Sequence, residues 1–209
     1  MSELQNRRGE LIVLSGPSGV GKSTVIAELL SARPDIHFSV SFTTRAPRVG
    51  EQDGVNYNFV SREEFKRMIR DGELLEYAEY VGNYYGTSLK VIREQLDRGV
   101  DVLLDIEVQG AAHVKEKCPE AVLIFLILPS IEELSRRLRG RHTDGEDAIA
   151  LRLDKAREEC RECPRYDYLV VNDTVVSAAR QIQSILEAEG CRTRKRLHLA
   201  AGFYDGKNG

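Results

Sequence analysis

A lysine followed by two hydroxyl residues comes directly after a glycine-rich turn near the start of the chain. The segment from Gly16 to Thr24 reads GPSGVGKST, which has the spacing of a phosphate-binding loop: Gly, four residues, then Gly-Lys-Ser/Thr. Glycines at these positions let successive backbone N–H groups point at a polyphosphate, and a following helix adds the positive end of its dipole. Lys22 then reaches the β- and γ-phosphates, and the Ser23 hydroxyl can ligate Mg²⁺.

Both flanks of this loop have the pattern that such a site requires. The apolar run 11–14 predicts a buried parallel strand, and residues 25–30 predict a helix. A glycine turn without any ligand is the alternative, but it does not account for a lysine and two hydroxyls at the helix start. A second apolar strand at 100–105 ends in Asp105, where folds with a phosphate loop place a carboxylate on the Mg²⁺ side.

Strands and helices alternate along the rest of the chain. Further strands are predicted at residues 37–42, 55–60, 74–78, 121–128 and 168–172. Helices are predicted at 61–69, 88–96 and 174–187. Between them, one helix is predicted to begin at 130, and a second, long charged helix is predicted to end at about 163. This alternation predicts a parallel, three-layer α/β fold. Residues 36–88, with short strands and a turn at 84–87, predict an inserted subdomain. Residues 190–209 show little periodicity and are interpreted as a frayed extension, with a partner or nucleic-acid contact as the alternative.

The overall composition excludes several classes of protein. The net charge is −3 over 209 residues, so nothing global indicates nucleic-acid binding. No apolar run approaches the roughly 18 residues of a membrane span, and the first residues lack the apolar core of a signal peptide. We therefore expect a single domain that acts in the cytoplasm, without membrane or nucleic-acid partners. The sequence does not decide between a monomer and a homo-oligomer. Cys160 and Cys163 form a Cys-x-x-Cys pair without a second pair, which favours plain helix positions over a zinc or redox site.

Three further segments make the chain resemble the guanylate kinases. They are 39–48 (SVSFTTRAPR), 82–87 (GNYYGT) and 104–110 (LDIEVQG), in this order after the phosphate loop. The resemblance covers about residues 10–189 and implies a P-loop nucleoside-monophosphate-kinase-like fold, with transfer of the γ-phosphoryl group from ATP to GMP and Mg²⁺ as the cofactor. The implied division is a core at about 10–35, 89–135 and 164–189, a GMP-binding subdomain at 36–88, a helical lid region at 136–163 and a tail at 190–209.

The resemblance also assigns residues to each substrate. It implies that the GMP phosphate is held by Arg45, Arg48, Tyr57 and Tyr85, since guanidinium forks and phenol hydroxyls suit a dianion. The guanine pocket would be lined by Ser41, Glu76, Thr87 and Glu107, with Asp105 near the ribose and, with Ser23, near Mg²⁺. ATP would contact Gly16, Pro17, Ser18, Gly19, Val20, Gly21, Lys22, Ser23 and Thr24, with Asn172 and Asp173 near the adenine. The catalytic cations would be Lys22, Arg45 and the lid arginines Arg137, Arg141 and Arg152.

Other interpretations compete with this one. From the residues alone, the lid arginines would be a solvated helix face and Glu76 a solvated strand residue. A catalytically inactive, phosphopeptide-binding module of the same fold would typically lose phosphate-loop and lid residues, which are present here. A kinase for another phosphorylated small molecule does not account for Ser41, Glu76 and Tyr85 together. Phe42, Glu107 and His142 depart from common family residues and could retune the base pocket and the lid.

Overall fold

Residues 8–80, 82–140 and 145–204 are described by a computed structural model. The strands in this part of the chain are β1 (Leu11–Ser15), β2 (His37–Phe38), β3 (Phe42–Thr43), β4 (Asn58–Phe59), β5 (Leu74–Tyr80), β6 (Asn83–Ser88), β7 (Val102–Asp105), β8 (Val122–Ile127) and β9 (Tyr168–Val171). The helices are α1 (Lys22–Ala32), α2 (Arg62–Arg70), α3 (Leu89–Asp97), α4 (Val108–Lys117), α5 (Ile131–Arg139), α6 (Glu146–Cys160), α7 (Val175–Gly190) and α8 (Thr193–Tyr204). Among these helices none combines the length and apolar composition needed to cross a membrane.

A five-stranded parallel sheet forms the centre of the molecule, in the order β2-β7-β1-β8-β9. Side chains alternate across β1 because successive residues of a strand point to opposite faces. Ile12 and Leu14 pack with α1, α5, α6 and α7 on one face, and Leu11 and Val13 pack with α3 and α4 on the other. The predicted three-layer α/β architecture is therefore confirmed.

A second, four-stranded sheet has the order β4-β3-β6-β5. It corrects the prediction of one strand at 37–42, because β2 pairs with β7 of the main sheet whereas β3 pairs with β4 and β6 of the second sheet. The predicted turn at 84–87 is also wrong, since these residues lie in β6 and pair with β5. The chain reverses just before them, where Gly82 has a φ of 72°. The boundaries of the inserted subdomain remain a prediction.

Helix α4 was not predicted from the sequence pattern. Its sequence, VQGAAHVKEK, has an internal glycine and weak apolar periodicity, and both features reduce the helical signal. The helix begins immediately after Glu107, which is its N-cap residue. Its first turn therefore lies beside the carboxyl end of β7, close to the residues whose chemistry is described below.

The interpretation of the tail as a frayed extension is wrong for α8, which packs against the end of α7 through ion pairs. Glu189, the penultimate residue of α7, is only 2% exposed. Its Oε1 accepts hydrogen bonds from the Tyr168 hydroxyl at 2.5 Å and from Arg192 at 2.6 Å. Lys195 of α8 lies 3.5 Å from Oε2 and also pairs with Glu10 near β1. Apolar periodicity does not register contacts of this kind, which explains the error.

Glu189→Ala is expected to lower the free energy of unfolding by about 2 kcal/mol, because it leaves Tyr168, Arg192 and Lys195 without their shared acceptor. Urea unfolding measures the loss, with Glu187→Ala, an exposed site on the same helix, as the control.

The loss should depend on pH. Burial alone would raise the pKa of Glu189, but the hydrogen bonds from Tyr168 and Arg192 outweigh it and hold the pKa below its ordinary value. A carboxyl with a lowered folded-state pKa stabilises the fold above its unfolded pKa of about 4.3, and this contribution is lost as the pH falls through the folded value. The two proteins should therefore converge in acid; an equal gap at pH 7 and pH 3 would contradict this account.

Candidate active site

The phosphate loop runs from the end of β1 into α1 with the geometry that glycine permits. A β-carbon at Gly16 would lie 2.3 Å from the carbonyl oxygen of Leu126, so no side chain fits there. Gly21 is the N-cap of α1 with a φ of 94°, a left-handed conformation that favours glycine. Lys22 folds back over the loop and donates from Nζ to the carbonyl oxygen of Gly16 at 2.8 Å. The predicted loop residues therefore form one turn at a helix N-terminus, where free N–H groups favour anions.

Asn172 lies beneath this loop and is completely buried. Its Nδ2 donates to the carbonyl oxygen of Val20 at 2.8 Å, and a β-carbon at Gly21 would lie 2.8 Å from the same nitrogen. Its Oδ1 is buried and has no hydrogen-bond partner within the described residues. Asn172 thus supports the backbone of the loop, while its predicted position near adenine, with the exposed Asp173, remains a prediction.

A carboxylate faces Lys22 across the carboxyl ends of adjacent strands. Asp105 ends β7, which pairs with β1, and its Oδ1 lies 3.9 Å from Nζ of Lys22. Burial raises the pKa of Asp105, and the positive charge of Lys22 opposes this rise. Ser23 is exposed in the first turn of α1. In residues 8–80, 82–140 and 145–204 no three His, Cys, Asp or Glu side chains group in a way that could hold a metal ion by themselves.

A cavity of about 300 Å³ extends from Lys22 to the second sheet. It brings together most of the residues predicted for GMP, namely Ser41, Arg45, Arg48, Tyr57, Glu76, Tyr85, Asp105 and Glu107. Thr87 lies beside Glu76 without being part of the lining. Residues from distant parts of the sequence therefore share one cavity that reaches the phosphate loop.

One end of the cavity is positively charged and aromatic. The guanidinium of Arg45 lies 5.4 Å from the ring centre of Tyr57, and the Tyr57 and Tyr85 rings meet edge to face at 5.9 Å. Glu51 accepts from Arg45 Nη2 at 2.9 Å and from the backbone N–H of Arg48 at 2.7 Å. Glu51 was not among the predicted residues, although its spacing, three residues after Arg48 and six after Arg45, was a usable signal. It orients the arginine that this end of the cavity presents.

The other end of the cavity holds a buried acid. Glu76 on β5 is 4% exposed, and its Oε1 accepts a 2.6 Å hydrogen bond from the hydroxyl of Thr87, its partner on β6. Burial raises the pKa of Glu76, whereas the Thr87 hydrogen bond and the charges of His113 and Lys117 oppose this rise. Such a carboxylate presents acceptor oxygens to any ligand that enters the cavity.

Comparison with known proteins identifies one family over almost the whole chain. The family model described as guanylate kinase matches residues 8–189. The chain belongs to the guanylate kinase family. A guanylate kinase of Lactococcus lactis subsp. lactis is 56% identical over 198 residues, which cover 95% of this chain and 97% of that one. A guanylate kinase of Streptococcus pneumoniae is 56% identical over 183 residues, covering 87% and 88% respectively.

A solved structure agrees with this assignment. The crystal structure of guanylate kinase from Anaplasma phagocytophilum matches with a TM-score of 0.78 and 40% identity, covering 95% of this chain and 97% of that one. The guanylate kinase match therefore includes both sheets and the helices around them. It confirms the family and the fold that the sequence motifs predicted, while α8 lies beyond the end of the family model.

The arginines predicted for the guanylate kinase lid differ in what the structure shows of them. Arg137 on α5 donates from Nε to Glu133 at 2.8 Å, and its Nη1 is 3.7 Å from where a β-carbon at Gly21 would lie. It is therefore already next to the phosphate loop. Arg152 on α6 is partly exposed. Arg141 and His142 fall outside the described residues, so their predicted roles remain predictions.

The cysteine pair lies at the end of α6. Cys160 is the last residue of that helix and Cys163 begins a short 3₁₀ turn, and both are free thiols. Burial raises the pKa of Cys163 to about 11, so the thiol stays protonated at neutral pH.

Proposed function

We propose that this chain transfers the γ-phosphoryl group of ATP to GMP, giving ADP and GDP, and so serves guanine nucleotide metabolism and GMP recycling. The observation that carries the proposal is the single cavity that Lys22, Arg45 and Glu76 all line. A nucleoside monophosphate needs such a cavity, since its phosphate and its base must be held at the same time. The relatives named guanylate kinase support the same reaction.

The phosphate of GMP fits the positive end of the cavity. Arg45 and Arg48 offer guanidinium forks to a dianion, and Tyr57 and Tyr85, which line the same cavity, add phenol hydroxyls. Burial raises the pKa of Tyr57, so its hydroxyl remains a donor at neutral pH. Glu51 holds Arg45 in place beforehand, and this preorganisation reduces the entropy lost on binding.

The base of GMP fits the end that contains Glu76. Guanine presents donors at N1 and at the 2-amino group, and the ionised carboxylate of Glu76 presents acceptors. Thr87 fixes the carboxylate, and Ser41 and Glu107 also line the cavity. Adenine has an acceptor at N1 and no 2-amino group, so it would face Glu76 with acceptor against acceptor.

The donor side consists of the phosphate loop and its lysine. Lys22 would turn from the carbonyl of Gly16 to the β- and γ-phosphates of ATP. A phosphate oxygen of GMP attacks the γ-phosphorus, the bond to the β–γ bridging oxygen breaks, and ADP leaves with that electron pair. Arg137, with Arg141 and Arg152 on closure of the lid region, would stabilise the charge of the transferring group.

Oxygen donors at the site suit Mg²⁺. Asp105 and Ser23 would hold Mg²⁺, because carboxylate and hydroxyl oxygens are the hard ligands that this ion prefers, and a site with so few protein ligands would leave room for substrate phosphates. When bound with ATP, Mg²⁺ neutralises charge on the β- and γ-phosphates. Burial of Asp105 beside Lys22 fits this role, because a cation nearby would favour the ionised carboxylate.

The cytoplasm is the proposed site of action, since both substrates are nucleotides and no described helix has the character of a membrane span.

A coupled assay of ADP formation with GMP, AMP, CMP and UMP in turn tests the proposed function. GMP should support turnover, and kcat/KM for AMP should be lower by about 10⁴-fold, because a buried acceptor left facing an acceptor discriminates strongly. A run without any monophosphate gives the background hydrolysis of ATP. Binding of GMP without turnover would favour a non-catalytic module, and equal rates with another monophosphate would favour a different kinase.

A further inference from the structure

Helix α4 approaches the carboxylate of Glu76 at a glycine. Gly110 is buried in the first turn of α4 and lines the cavity with Glu76. A β-carbon at Gly110 would lie 2.7 Å from Oε2 of Glu76 and 3.3 Å from its Cδ. Real β-carbons essentially never come within 3.0 Å of another heavy atom, so the two side chains could not both keep these positions.

Backbone conformation does not explain a glycine at this point. Gly110 lies inside α4 and has no left-handed φ, unlike Gly82 or Gly21. Glycine weakens a helix interior relative to alanine, so the helix loses stability at Gly110 without gaining a turn. The remaining explanation is space, and Glu76 is what fills that space.

We infer that Gly110 is a specificity-determining residue for guanine, because it leaves the room in which the Glu76 carboxylate must lie. It acts as a positioning residue through Glu76 and does not itself supply a polar group to the base. The inference rests on the proposed function and deepens it, since it places part of the base selection on α4.

The surroundings of Glu76 leave it few ways to avoid a methyl group at position 110. Its Oε1 is bonded to Thr87 at 2.6 Å, so rotation of the carboxylate breaks that bond. The strand cannot easily shift, because Nζ of Lys117 on α4 donates to the carbonyl oxygen of Leu75 at 2.5 Å. The same β-carbon would also lie 3.4 Å from Cδ1 of Ile106, so it would have little room to move away from Glu76. The carboxylate would therefore move, and its acceptors would no longer meet the base.

The test is Gly110→Ala in the full chain, with kcat/KM measured for GMP, AMP and IMP and with KM measured for ATP. We expect kcat/KM for GMP to fall about 100-fold, mainly through KM, as a displacement near 1 Å would cause. The preference for GMP over IMP should fall as well. IMP lacks the 2-amino group, so this preference depends on the hydrogen bond from that group to the Glu76 carboxylate, and the displacement removes the bond. KM for ATP should stay within about twofold. Glu116→Ala, at an exposed position of the same helix, is the matched control.

A second variant distinguishes the proposed contact from a general disturbance of α4. Glu76→Asp withdraws the carboxylate by one methylene group, so a methyl at position 110 no longer meets it. Adding Gly110→Ala to Glu76→Asp should then change kcat/KM for GMP by less than about threefold, a strong departure from additivity. Additive losses would overturn the inference.

Two further outcomes are also decisive. If Gly110→Ala lowers the melting temperature, recovery of that temperature in the double variant supports the contact, and no recovery overturns it. If the wild-type protein phosphorylates GMP selectively and Gly110→Ala is equally selective, this inference alone fails. If the wild-type protein does not phosphorylate GMP, the proposed function is wrong, and so is this inference, which rests on it.

Discussion

Lys22→Ala is expected to lower kcat by roughly a hundredfold or more, with little change in KM for GMP. The ammonium of Lys22 lies 2.8 Å from the carbonyl oxygen of Gly16 and 3.9 Å from Asp105, at the mouth of the phosphate loop. From there it can neutralise the charge that grows on the β–γ bridging oxygen as the γ-phosphoryl group leaves. This interaction is strongest in the transition state, so its loss appears in kcat rather than in the binding of GMP.

Steady-state kinetics with both substrates varied measure this effect. Lys90→Ala is the matched control, since Lys90 is an exposed lysine of α3 that is 3.9 Å from Glu94 on the same helix. The control should retain full activity. Near-normal turnover of the Lys22 variant would show that this loop is not the catalytic phosphate site.

Glu76→Gln is expected to remove most of the preference for GMP over AMP, which should be about 10⁴-fold in the wild-type protein. The amide keeps the shape of the side chain and can still accept from Thr87, but it replaces one acceptor oxygen with a donor and removes the charge. The N1–H and 2-amino groups of guanine then face one acceptor oxygen fewer at position 76. The required measurement is kcat/KM for GMP and AMP in both proteins, with KM for ATP unchanged.

The same acid should control the pH dependence of the reaction with GMP. Burial raises the pKa of Glu76, so the wild-type kcat/KM for GMP should fall as the pH drops through that raised value, where the carboxylate gains a proton and loses an acceptor. The Gln variant should lack this acidic limb. Glu79→Gln, at a salt-bridged and half-exposed position of β5, should behave as wild type. Full GMP activity and selectivity in Glu76→Gln would move base recognition to Ser41 and Glu107.

The main sheet was predictable because long apolar runs in an α/β chain form few structures other than buried strands. The run around β8 and the strand before the phosphate loop are buried on both faces, as their composition indicated. The segment 37–42 was mispredicted because alternation reports local exposure and does not identify the partner strand. The tail was mispredicted for a related reason, as α8 is held by ion pairs to residues such as Glu10 that are distant in sequence.

The candidate site was predictable only in part from the residues themselves. The spacing of Gly16, Lys22 and Ser23 was enough to predict a phosphate loop, since one short segment contains all of the residues that define it. The roles of Arg45 and Glu76 came from the resemblance, because an isolated arginine or glutamate has many structural uses. Gly110 was missed because it matters through its close approach to Glu76, which appears only in three dimensions. The spacing of Glu51 after Arg45 and Arg48 was a signal that the prediction did not use.

The packing of β5 against α3 and α4 has a consequence for the order of events. Leu75 is buried in the core with α3 and α4, and Lys117 donates a hydrogen bond to its carbonyl, so Glu76 follows a residue that is anchored in the core. Arg45 and Arg48 lie instead on a segment that includes the fully exposed Val49. We therefore expect a monophosphate to bind to Glu76 through its base and to the preorganised Arg45 through its phosphate before the lid region closes around it. A monophosphate with the wrong base would then dissociate before the lid region closes over ATP, so ATP would not be hydrolysed without a correct acceptor.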